Sequence, residues 1–107
     1  MKPSEILIAM KEKIATPEKW LQGGHAKNVE GEYVDPESKD AICWCSLGAA
    51  WAVTHSTPED SYFTALEYVR KFTDKDLLFW NDDPERTHEE VMNAFDKAIA
   101  LAQKEGA

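Results

Sequence analysis

No stretch of the sequence approaches the ~18 consecutive apolar residues that a membrane-spanning helix requires. The longest uncharged segment, Ala41 to Thr54, is shorter than that and is broken by Ser46 and Gly48. The opening residues carry no long apolar run followed by a small-residue cleavage site, because Lys11, Glu12 and Lys13 interrupt them. No secretory leader is expected, which points to a cytoplasmic protein. Basic residues are also scarce: 12 Lys and Arg stand against 20 Asp and Glu, for a net charge of -8. The lysines are scattered among acids, as in "KEK", "SKD" and "DKD", so no basic patch opposes a phosphate backbone. Nucleic acid and membrane are therefore not expected partners. Only two cysteines occur, and 107 residues can bury a core without disulfide or metal staples. Internal repeats, low-complexity tracts and linkers are missing too, and residues 1–107 read as a single globular domain.

What is present is helical punctuation. Ser4 is placed to cap a first helix ending near Ala15, with Leu7, Met10 and Ile14 on one face. "TPEKWLQGG" combines a cap, a proline at the first helical position, Trp20 and Leu21 on one or two turns, and a glycine stop. From His25 to Asp35 the helical period disappears, and two polar–apolar strips around Glu30 and Gly31 suit a small hairpin. Asp40 is placed to cap a helix over Ala41–His55, with Trp44, Leu47, Trp51 and His55 on one side and Gly48, Ala49, Ala50 and Ala52 allowing close approach. This is expected to be the central, mostly buried helix. Thr57 and Pro58 open a further helix to about Phe72, a short turn "TDKDLLFW" follows, and the last helix runs from His88 to Lys104. Its Val91, Phe95, Ala98, Ile99 and Ala102 hold a 3.6-residue rhythm. The fold class is mainly α: a compact helical domain of about four main helices with a small β-hairpin between the first and the central helix.

Chemistry-bearing residues are few. On a helix Cys43 and Cys45 point ~200° apart, so they neither share an ion nor bond to each other. A zinc set of His25, Cys43, Cys45 and His55 requires the cysteines to precede the helix, and its spacing matches no closed-site pattern. No metal and no cofactor is expected. The richest polar segment is "NDDPERTHEEV", residues 81–91. Thr87 and Glu90 form a capping box. Asn81, Asp82, Asp83 and Pro84 suit a tight turn, and Arg86 can pair with Asp82 or Asp83. Its polar content exceeds what a turn and a cap require. Trp80, Asn81, Asp82, Arg86 and His88 are therefore the expected ligand-binding residues, lining a polar cleft for a small anionic or sugar-like ligand or a protein partner.

"AICWCSLGAAWAV", "FWND" and "RTHEEVMNAFDKAIALA" resemble a group of small uncharacterised bacterial and phage proteins. These share a Cys-x-x-Gly-Ala stretch, a Trp-Asn-Asp segment and an Arg-Thr-x-Glu-Glu-Val helix. The resemblance extends from about Trp20 to Ala102 and is carried by Cys45, Gly48, Ala49, Asn81, Asp82, Arg86 and Thr87; Cys43 departs from it. It implies a stand-alone cytoplasmic domain and brings no activity or catalytic residue. The leading expectation is a non-enzymatic binding module. Its rivals are a small enzyme with Asp82 or His88 as acid or base beside Cys43 or Cys45, and an acidic phage-encoded inhibitor.

Overall fold

A computed structural model describes residues 1–55 and 60–107 of the chain. Among these, α1 spans Pro3–Lys13, β1 Ala26–Lys27, β2 Cys43–Trp44, α2 Ser46–Thr54, α3 Asp60–Arg70, α4 Leu77–Asn81 and α5 His88–Lys104. A 3-10 turn at Pro17–Lys19 follows α1. The expected mainly helical architecture with a small antiparallel sheet is what the chain adopts, with a radius of gyration of 12.8 Å. A compact 100-residue domain has a radius near ~13 Å.

Helix α1 is the packing centre. Ile6, Leu7, Met10 and Ile14 along and just beyond it are buried, and the helix lies against α2, α3 and α5. The expectation that the tryptophan-bearing helix α2 is central is corrected by this packing. Buried area decides the matter: α2 contributes mostly Ala49, Ala50 and Ala52, whereas each large α1 side chain contributes ~1.5–3 kcal/mol on burial. Small residues let α2 come close but give it little to bury. Ser4 does not cap α1 but lies inside it, after an N-cap at Lys2.

Helix α2 begins five residues later than expected. Ile42 donates its amide to the Lys27 carbonyl (2.8 Å), Cys45 donates to that of His25 (3.2 Å), and β2 pairs with β1 through Ala26↔Trp44 and Lys27↔Cys43. Those amides are committed across the sheet, so the helix starts only after Cys45, whose Sγ accepts from the Gly48 amide (3.2 Å). Asp40 instead closes a turn on the Ser38 hydroxyl. The hairpin expected over 25–35 is a turn in which Asn28 accepts from Glu30 and Glu32, with Lys27 bridging Tyr33. The sheet partner of β1 is β2.

Helix α3 ends at Arg70, two residues short of the expected Phe72, and its expected start at Thr57 and Pro58 lies outside the described residues. Helix α5 has the expected bounds. Thr87 is its N-cap, and the reciprocal bonds between Thr87 and Glu90 are both present. Val91, Phe95, Ala98 and Ala102 of its apolar stripe are buried against α1 and α3.

Candidate functional site

The segment joining α4 to α5 is organised around Asn81, which is fully buried. Its Oδ1 accepts from Trp20 Nε1 (2.8 Å), from the Ser46 amide (3.0 Å) and from the Ser46 hydroxyl (2.7 Å). Its Nδ2 donates to the Leu21 carbonyl (3.0 Å) and to Asp82 Oδ1 (2.9 Å). Donors on one side and acceptors on the other fix the amide orientation, since a flip would face N–H against N–H. Asn81 thereby satisfies an amide of the first turn of α2, which has no partner within its own helix. It also ties the segment after α1 to the start of α2.

The neighbours extend the same junction. Gln22 Nε2 donates to the carbonyls of Asn81 (3.0 Å) and Asp83 (2.7 Å), and the Gly23 amide donates to Asp82 Oδ1 (3.1 Å). Asp82 thus faces the glycine segment rather than Arg86. His88 Nε2 lies 2.7 Å from the Ile14 carbonyl. A carbonyl only accepts, so Nε2 carries the proton in this contact. The ring also lies 6.1 Å from that of Trp20.

Arg86 is held from several sides. Its Nε donates to the Trp80 carbonyl (2.9 Å), its guanidinium stacks on the Trp80 ring at 4.1 Å, and Nη1 lies 3.3 Å from Glu90 Oε2. The pairing with Asp83 expected from the sequence is long, at 3.9 Å. The amide and hydroxyl of Thr87, with Arg86 beside them, hold the Glu90 carboxyl below its ordinary value. Trp80 and Arg86 form one wall of a 260 Å³ groove that Phe72, Glu90, Asn93, Ala94 and Lys97 complete.

The five expected site residues therefore lie in one neighbourhood but face different ways. Trp80 and Arg86 share a groove, Asn81 is interior, Asp82 points to Gly23, and His88 points to Ile14. Ser46 and Gln22 were not singled out in the sequence, although both are polar residues beside glycine- or alanine-rich segments that must approach other backbone. Lys97 was also missed, because a lysine on the polar face of α5 carries no local signal.

Cys45 is fully buried, and burial pushes its thiol up from the ordinary range, with the Asp82 charge adding to the effect. Reactive cysteines show the opposite shift. Cys43 is half-buried, 4.0 Å from the Lys27 carbonyl. Both cysteines do precede α2, as a zinc set would require. Even so, among the described residues no group of three His, Cys, Asp or Glu is disposed to hold a metal ion. The His25 ring stacks instead on Trp51 at 5.2 Å. Among those residues, too, no helix is long and apolar enough to cross a membrane.

A second concavity lies between α1, β2 and α2. This 510 Å³ groove has Ile42, Trp44 and Val53 on its floor and Lys13, Lys19 and Glu12 on its rim. Placing Ile42 and Trp44 on a helix concealed it from the sequence reading.

A small helical domain with a two-stranded sheet, clasped by a buried asparagine, is the class these features define. The chain belongs to the family of unknown function DUF6197, whose model matches residues 1–101. No curated protein and no solved structure matches it.

Proposed function

We propose that the protein is a non-enzymatic, cytoplasmic binding module that takes a small anionic group in the groove walled by Trp80 and Arg86. The observation that carries this reading is the fixed guanidinium: Arg86 is stacked on Trp80 and bonded to its carbonyl before any ligand arrives. A preorganised cation loses little side-chain freedom on binding, which favours recognition over a flexible surface charge. Lys97 on the same groove adds a second cation and Asn93 an amide, so that the two cations outnumber the Glu90 carboxylate that lines the groove and pairs with Arg86. At 260 Å³ the groove is smaller than the ~300–1,000 Å³ typical of drug-sized ligands, so it suits a phosphate- or carboxylate-sized group, free or on a partner protein. A sugar-like ligand fits less well, because Arg86 already covers the Trp80 face. Asn81, Asp82 and His88 lie outside the groove lining and belong to the neighbouring junction. We take the bacterial and phage origin and the shared motifs as part of the same reading. Cys45, Gly48, Ala49, Asn81, Asp82, Arg86 and Thr87 are expected to recur when relatives are aligned.

The test is a thermal-shift screen against nucleotides, sugars and phosphorylated metabolites, run on the wild type and on Lys97→Ala. A ligand at a hundred times its Kd adds about 2.7 kcal/mol of stability, a shift of many degrees for a domain this small. An anionic compound should stabilise the wild type and stabilise Lys97→Ala much less, with the ligand-free Tm unchanged because Lys97 is exposed. No stabilisation by any compound rejects the reading.

A further inference from the structure

The geometry points to a second site, independent of Arg86: the groove between α1, β2 and α2 binds an amphipathic monocarboxylate, a compact apolar body ending in one carboxylate. The groove's 510 Å³ lies within the range of small-molecule pockets. Its floor is apolar, and Ile42 is 48% exposed there, an aliphatic side chain left in water at a concave rather than a convex surface. The Trp44 ring is fixed by its indole N–H, which donates to the Pro36 carbonyl at 3.0 Å. The Lys13 ammonium sits 4.5 Å from the centre of that ring, which places a cation where the floor meets the rim. Lys19 supplies a second cation.

In a chain of net charge -8, two lysines on one apolar groove select the head group. They attract an anion. Glu12 on the same rim and the overall negative field oppose a second negative charge, so a monoanion is preferred to a dianion or a phosphate ester. An uncharged analogue keeps the apolar contact and loses the head-group attraction.

Octanoate, its neutral counterpart octanamide and the dianion suberate are titrated into isotope-labelled protein, following backbone amide and indole N–H resonances. Octanoate is expected to shift the Trp44 indole and the amides of residues 41–44 and 9–13, with octanamide and suberate each binding at least fivefold more weakly. Lys13→Ala with Lys19→Ala should weaken octanoate about tenfold, equivalent to 1.4 kcal/mol. Ile42→Asp, at an exposed position that leaves folding intact, should abolish the shifts. Lys97→Ala should leave octanoate affinity unchanged. Failure of the site is thus distinguished from failure of the Arg86 groove. No shift at the groove at millimolar octanoate overturns the inference, as does equal affinity for octanamide, an unaffected double-lysine variant, or weakening by Lys97→Ala.

Discussion

At the scale of single residues, the feature with most consequence is the buried Asn81 amide. Replacing it with alanine leaves Trp20 Nε1, the Ser46 amide and hydroxyl, and the Leu21 carbonyl without their partner. Each unsatisfied buried group costs ~1–3 kcal/mol, less where water enters. Asn81→Ala should lower stability by about 3 kcal/mol, moving the urea midpoint by about 1 M or more at unchanged slope. Gly48→Ala makes a complementary case. A methyl group there would press into the His25 backbone carbonyl, which cannot swing aside as a side chain can. Despite the higher helix propensity of alanine, the substitution should destabilise by ~1–3 kcal/mol in the same assay. Thiol chemistry gives a third prediction. Under native conditions iodoacetamide should modify Cys43 well before Cys45, whose sulfur is buried and whose pKa is raised; equal rates would contradict the capping geometry. Local pattern hinted at the importance of Asn81 but assigned it the wrong office. A polar residue in a turn-like segment reads as a surface group, and only the remote approach of Trp20 and Ser46 turns it inward.

At the scale of elements, α5 was legible almost residue by residue, because its cap, its acidic first turn and its apolar period all agree. Thr87→Ala should cost about 1 kcal/mol, several degrees in Tm. Glu90→Gln isolates the charge. The folded-state carboxyl titrates below its ordinary value of 4.5, so its contribution is complete above that value and disappears as pH falls through the lowered one. The Tm difference between wild type and Glu90→Gln should therefore be present at neutral pH and close as the pH falls below 4.5 and through the lowered value. The start of α2 was illegible for a different reason. "AICWC" suits either a buried helix or a short strand, and what decides is the set of Lys27 and His25 carbonyls that take its amides from far upstream.

At the scale of the molecule, the helical class followed from the sequence, whereas the choice of central helix did not. Apolar period shows which face is buried but not how many neighbours it meets, and α1 meets three. Leu7→Ala, at a fully buried position on α1, should cost about 2–5 kcal/mol and lower the Tm accordingly. The site was legible only in part. Arg86 and Trp80, expected from the chain, stand in one candidate groove, whereas Lys97 is brought there only by the packing of α5 and the Ile42–Trp44 groove only by the strand.

The asparagine clasp joins chain positions 20–23, 46 and 81–83, whose separations make them costly to assemble and therefore hard to release singly. Deuterium uptake should register this as a cooperative unit. The amides of Gly23 and Ser46, which donate to Asp82 and Asn81, should become accessible together, at one free energy, as α4 lifts away. Meanwhile the amides in the middle of α5 outlast them.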